Sequence, residues 1–305
     1  MDKIEVFIIT GFLGAGKTTI LNELLKIFPN NNGIIENEFG QVNIDTTLID
    51  SKFESMYELT NGCICCSLDA DLYSTLHTIV TDNKKIKRLF IESTGIADAG
   101  NIASILKKPD VAKFYQLIKV ICVVDSFQIL ENIKLVNEVT RQIISSDLIL
   151  LNKCKGVNLD DIRNKIKFIN PFSIIVDCSE KLFDKEWLTI VQPVKSLFFR
   201  PIIQSEYQHE INSVLYESHF KINIESLRES LKKLLDWYYH QIFRIKGFVI
   251  GDNNRMYLVQ STGQDIFISI PPCDVENKNK LIIIGRKIEL NTIERIIKPS
   301  IVKDL

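Results

Sequence analysis

Gly11-Phe-Leu-Gly-Ala-Gly-Lys-Thr18 constrains this chain more than any other feature. The segment satisfies G-x-x-x-x-G-K-[ST], with a hydrophobic run before it (residues 4–10) that reads as a strand. A stretch after it (residues 19–28) reads as a helix. That context is what phosphate binding requires. Gly11, Gly14, Ala15 and Gly16 let the backbone fold round phosphates and aim N–H groups at them. The helix beginning near Lys17 adds its positive dipole end, and Thr19 continues that first turn. The Lys17 ammonium is expected to reach the β- and γ-phosphates, and the Thr18 hydroxyl to ligate Mg²⁺. A chance glycine-rich turn would need none of these four fixed positions.

The rest of the first two-thirds alternates short β-branched runs with helical stretches. Residues 33–36, 55–59, 88–92, 119–125, 147–151 and 173–177 read as strands, and residues 68–80 as a helix. Runs such as Val-Ile-Cys-Val-Val are hydrophobic nearly throughout, which suits strands buried on both faces. The expectation is an α/β domain with a doubly wound, mostly parallel sheet over residues 1–195. Pro193 and Pro201 punctuate a junction near 194–205. Residues 205–305 then read as a small α+β C-terminal domain. It has a strand at 214–222, an amphipathic helix at 224–239, strands at 243–250, 256–261, 265–270 and 281–284, and a helix at 290–297.

Two further groups carry chemistry. Glu92-Ser-Thr-Gly95 follows the 88–92 strand; an acidic strand end beside a phosphate loop can hold Mg²⁺ or its water, and the glycine can offer its N–H to the γ-phosphate. A carboxylate in that place also serves often as a plain helix cap. Gly62-Cys-Ile-Cys-Cys66 places Cys63, Cys65 and Cys66 within four residues, soft ligands that favour Zn²⁺ or Cu⁺. No second C-x-x-C or Cys/His pair lies nearby to complete a closed structural site. The site therefore looks open, which suits transfer better than retention. Glu36 and Glu38, in Glu36-Asn-Glu-Phe-Gly40, are candidate carboxylate ligands, and Asp45 is a candidate for Mg²⁺ or the attacking water. An ordinary acidic surface loop would look the same in composition.

Taken in order and spacing, GFLGAGKTT, ENEFG, GCICC and ESTG closely resemble the CobW-like GTPases, metallochaperone-type proteins related to the urease and hydrogenase nickel-insertion GTPases. Val123-Val-Asp125, Asn152-Lys153, Phe243-Arg-Ile-Lys-Gly-Phe248 and Ile284-Gly-Arg286 extend the resemblance over nearly the whole chain. The resemblance implies GTP with Mg²⁺ as nucleotide and zinc or another divalent metal at the cysteines. It also implies a client metalloprotein that receives the metal on hydrolysis. It places Asn152 and Lys153 beside the base. Proteins of this type often depend on a dimer or partner to complete the site, so a nucleotide-dependent homodimer and slow intrinsic turnover are expected; by sequence the nearest arginines are Arg88 and Arg141.

Three positions depart from the family pattern. Gln41 stands where many relatives carry glutamate, the four histidines are scattered, and Lys155 replaces the aspartate of N-K-x-D. The alternatives are a maturation factor for a metal- or corrinoid-enzyme without direct metal transfer, and a small-molecule kinase, for which nothing marks an acceptor pocket. A net charge of −1 argues against a general nucleic-acid binder. Seven cysteines without regular spacing suit reduced thiols. No stretch approaches the roughly 18 apolar residues of a membrane helix. A cytoplasmic protein is the expectation.

Overall fold

The structure is a computed structural model and describes residues 3–36, 55–58, 68–82, 85–95, 97–178, 188, 211–238, 241–262, 265–271 and 278–302. Two compact units divide the chain: Met1–Arg163 with Ser173–Ile190, and Asn164–Phe172 with Val191–Leu305. The sequence-derived junction near 194–205 lies outside the described residues.

In the first unit β1 (Ile4–Thr10), β2 (Asn32–Glu36), β3 (Ser55–Glu58), β4 (Arg88–Glu92), β5 (Tyr115–Asp125), β6 (Leu148–Asn152) and β7 (Ile174–Asp177) form one sheet in the order β3-β2-β4-β1-β5-β6-β7. Every pairing in it is parallel. Helices α1 (Lys17–Ile27), α2 (Leu68–Thr81), α3 (Ala99–Lys107), α4 (Ile129–Leu135) and α5 (Asn137–Ser145) connect the strands, and α6 (Leu159–Ile169), whose residues from Asn164 on belong to the second unit, runs between β6 and β7 in sequence. The nearly continuous hydrophobic runs are explained by burial on both faces. Phe7, Ile9, Ile34, Phe90, Ile121 and Val123 pack with Leu21, Leu24 and Leu25 of α1. Their neighbours in sequence, Val6, Ile8, Ile35, Leu89, Ile91 and Val120, pack on the other face with Leu72 and Leu76 of α2 and Ile102 and Leu106 of α3. β1 is therefore fully sandwiched, and its carboxyl end, where Gly11 begins, opens between β4 and β5 at the edge where open α/β sheets bind ligands.

β5 begins at Tyr115, four residues before its predicted start. Gln116 and Lys119 break the apolar run, which hides the strand from pattern reading. Pairing with β1 absorbs the break through a register shift between Val6 and Phe7, which leaves Ile118 as the extra residue. Lys119 is buried there, and burial pulls its pKa below the ordinary lysine value, with Asp147 opposing the shift.

The second unit holds β8 (Ile211–Ser218), α7 (Ile224–Trp237), β9 (Ile242–Ile250), β10 (Met256–Thr262), β11 (Asp265–Ser269), β12 (Asn279–Arg286) and α8 (Leu290–Ile297). Its sheet is antiparallel, in the order β11-β10-β9-β12-β8. Asn223 caps α7 by accepting from the Ser226 N–H at 3.0 Å. Leu227, Leu231, Leu234 and Leu235, at helical spacing, join Ile293 and Ile297 of α8 in a core with Val249, Val259, Leu281 and Ile283. The expected strand–helix unit followed by consecutive strands is what this domain contains.

Candidate functional site

Backbone geometry alone shapes the loop between β1 and α1. Gly16 is left-handed (φ 100) at the α1 N-cap, and a Cβ there would collide with the Asn152 amide. Gly11 (φ 144) could carry no side chain without striking the Val123 carbonyl. α1 consequently starts with no side-chain cap and no acidic residue in its first turn. Its opening N–H groups are left to an anion, and Lys17 stands at the first position of the helix.

Thr18 and Glu92 converge across the sheet. The Thr18 hydroxyl donates to Glu92 Oε1 at 3.1 Å, although 74 positions separate them. The pairing register explains the meeting: Glu92 lies beside Ile9 at the carboxyl end of β1. A hydroxyl and a carboxylate on one site are the hard oxygen donors that Mg²⁺ takes, so these residues fit that ion. On the other side of Glu92 lies Glu36, and beyond that Glu58, one residue from each of β4, β2 and β3 in a row. Neighbouring strands are about 4.8 Å apart, so Glu58 stands about 10 Å from Glu92. The chain continues from β3 toward Cys63, Cys65 and Cys66, which with Glu38, Gln41 and Asp45 lie outside the described residues. Among the described residues no group of three or more His, Cys, Asp or Glu could hold a metal ion.

Asn152 and Lys153 brace the loop from below. Asn152 Nδ2 donates to the Ala15 carbonyl at 3.0 Å, and its Oδ1 accepts from the Lys153 N–H at 2.9 Å. Lys153 Nζ donates to the Gly14 carbonyl at 2.9 Å and pairs with Asp125 Oδ2 at 2.7 Å. Lys153 holds a left-handed backbone (φ 57), a conformation that costs a non-glycine residue about 1–2 kcal/mol. The ion pair and the two loop contacts offset that cost. The other Asp125 oxygen accepts from the Phe127 N–H at 3.0 Å, so both of its oxygens are used. The sequence marked Asn152 and Lys153 but gave Asp125 no role; its place at a buried strand end, in register with Asn152, is the signal that identifies it.

Gly95 presses on the loop tip. A Cβ on it would stand 2.9 Å from the Leu13 backbone nitrogen, so the residue must be small. The two arginines considered as cis donors point elsewhere. Arg88 pairs with Glu5 at 3.0 Å and lies over the Phe28 ring, at the amino ends of β1 and β4, opposite the loop. Arg141 reaches Asp98, the N-cap of α3, at 4.0 Å.

Burial raises the thiol pKa of Cys122 and of Cys178 to about 12. A thiol with that pKa has a thiolate fraction of about 1 in 10,000 at pH 8. Both thiols are therefore poor nucleophiles toward an alkylating agent. In folded protein treated with iodoacetamide at that pH, Cys122 and Cys178 are expected to stay unmodified by peptide mapping. Labelling at the rate of the unfolded chain would contradict the raised thiol pKa.

Two protein-family models match the chain. Residues 5–172 match the model described as CobW/HypB/UreG, nucleotide-binding domain, and residues 211–299 match the Cobalamin synthesis protein cobW C-terminal domain. The zinc chaperone YjiA of Escherichia coli is 30% identical over 271 residues, covering 84% of this chain and 85% of that protein. The zinc chaperone CobW of Pseudomonas aeruginosa is 25% identical over 336 residues, covering 95% and 89%. In structure, a Zn(II)-bound crystal form of the YjiA GTPase superposes with a TM-score of 0.74 at 23% identity, covering 98% of this chain and 99% of that one. The last likeness shows a shared fold.

Proposed function

This chain belongs to the CobW/HypB/UreG family, and from that premise we propose that it is a nucleotide-dependent metallochaperone, hydrolysing GTP to deliver a divalent metal, zinc, to a client metalloprotein. One observation carries the reading. The uncapped start of α1 and the Thr18–Glu92 pair share a sheet edge with Glu36 and Glu58, and that edge leads into the cysteine segment. In sequence, four residues separate Glu58 from Cys63, which links the proposed phosphate site to the proposed thiolate site.

In the proposed mechanism the backbone N–H groups of the loop and the Lys17 ammonium bind the β- and γ-phosphates. Thr18 and Glu92 would hold Mg²⁺, which when bound neutralises charge developing on the phosphate oxygens. Gly95 offers its N–H to the γ-phosphate. Asp125, through Lys153, keeps the Gly14 carbonyl fixed and the loop in shape. Asp45 orients the attacking water. Zinc is the cargo, held by Cys63, Cys65 and Cys66 with Glu36 or Glu38. Loss of the γ-phosphate releases the segment after β2 and weakens the metal site.

Zinc titration against a competing chelator tests this. The Cys63→Ser, Cys65→Ser, Cys66→Ser triple variant is expected to bind zinc at least about tenfold more weakly, because each lost thiolate removes a soft ligand. Affinity of the wild type should fall as pH drops, since thiols must lose protons to ligate. It should also differ between the GTP-analogue and GDP states. Linkage requires zinc to change the relative affinity for those nucleotides by the same factor. Equal zinc affinity in the triphosphate, diphosphate and empty states would rule out a delivery cycle.

A further inference from the structure

Helix α5 reaches into the site through one side chain that the mechanism above does not use. Gln142 is 1% exposed and sits on the apolar face of α5 between Val139 and Ile143. Its Nε2 donates to the Gly95 carbonyl at 3.0 Å and to the Ala97 carbonyl at 3.3 Å. The Ala97 N–H in turn donates to the Thr94 carbonyl at 3.1 Å and closes the turn that carries Gly95. One amide group therefore holds two carbonyls of that turn, at Gly95 within it and at Ala97 at its end. The turn is also pressed against Leu13 of the phosphate loop. Gln142 Oε1 is buried and has no hydrogen-bond partner among the described residues. A cavity of about 10 Å³, the room of a single water, lies between Gln142, Leu13, Asn132 and Asp125.

A glutamine on an otherwise apolar helix face needs a reason to be buried. A hydrocarbon of the same size would pack there without desolvating an amide. What the amide supplies is the position of Gly95. We propose that Gln142 is a positioning residue for the third phosphate: it holds the Gly95 turn against Leu13, ready for a γ-phosphate, and so sets the preference for triphosphate over diphosphate. The inference rests on the proposed reading of the loop as a triphosphate site. A diphosphate ends short of Gly95 and gains nothing from a turn held in place. A triphosphate must meet Gly95, and without Gln142 it must also order the turn.

Gln142→Met keeps the length and removes both donors. Its affinity for a non-hydrolysable GTP analogue is expected to fall about fivefold to thirtyfold, the value of one or two neutral hydrogen bonds. Its GDP affinity is expected to stay within about twofold, since diphosphate makes no use of the turn. Gln142→Glu gives a second readout and serves alone if the methionine variant does not fold. A buried carboxylate lacks a donor, but its protonated form regains one. Relative to wild type, the triphosphate-to-diphosphate affinity ratio of Gln142→Glu should therefore recover as pH is lowered. Equal losses for both nucleotides, or no loss for either, would overturn the positioning role. A glutamate variant whose ratio ignores pH would do the same. Wild-type protein that bound neither nucleotide would overturn the phosphate-loop reading itself, an outcome distinct from the other three.

Discussion

Lys17→Ala is expected to lower GTP turnover by about a hundredfold to a thousandfold, the range seen when a single preorganised donor to a developing oxyanion is removed. Lys17 opens α1 directly after the left-handed Gly16, at the end of a helix with no cap of its own. Its ammonium is the one mobile point charge the loop brings to the β- and γ-phosphates; the rest of the cradle is backbone. The loss should fall on the triphosphate more than on the diphosphate, because charge builds on the transferred group. The fold should not notice. The Asn152 and Lys153 braces hold Ala15 and Gly14 and do not pass through Lys17, so the melting temperature should stay put. Phosphate release and fluorescent-nucleotide binding, measured beside thermal unfolding, check both halves. Unchanged turnover would sink the assignment of the loop.

Local pattern and remote contact were legible to different degrees. β1 and β4 coincide with their sequence-derived limits because each is a dense apolar run bounded by a loop signal. α1 opens at Lys17, where the phosphate-loop motif puts the start of its helix, although the apolar periodicity alone begins only at Thr19. The Thr18–Glu92 pair could be anticipated, because a phosphate loop fixes where a carboxylate must come. The double role of Asn152 could not. Its bond to Ala15 spans 137 positions, and no periodicity encodes it. Gln142 was invisible for a related reason: one polar residue on an amphipathic helix has no meaning until its neighbours across the fold are known. Glu36 stands next to Glu92 in the β2–β4 register, a neighbour that no local pattern in the sequence gives.

Lys155→Asp is expected to raise the preference for GTP over ATP by roughly tenfold to a hundredfold, and the wild-type preference should be weak to match. GTPases usually follow the strand at β6 with N-K-x-D, whose aspartate accepts from guanine N1–H and the 2-amino group. Here the turn reads Asn152-Lys-Cys-Lys155. The structure narrows what else could read the base. The Asn152 amide has its Nδ2 on Ala15 and its Oδ1 on Lys153. Lys153 is spent on Gly14 and Asp125. Cys154 is buried, and its thiol donates to the Leu151 carbonyl. The Val157 N–H bonds the Cys154 carbonyl at 3.2 Å with Gly156 at φ 80, a type II turn that displays Lys155 at its exposed corner. Of the acidic residues that follow, Asp161 accepts from Asn158 Nδ2 at 2.9 Å and so faces its own helix start. Two guanine donors would then meet an ammonium in place of a carboxylate. A hydrogen bond to a charged group is worth about 1.5–3 kcal/mol, which sets the tenfold-to-hundredfold range. Adenine N1 or a xanthine oxygen, being acceptors, would suit the lysine better. Competition binding with GTP, ATP, ITP and XTP on both proteins decides it. A wild-type preference for GTP of about a thousandfold or more, well beyond one such bond, would mean that another group reads the base. No gain in Lys155→Asp would mean that the fourth position has lost contact with it.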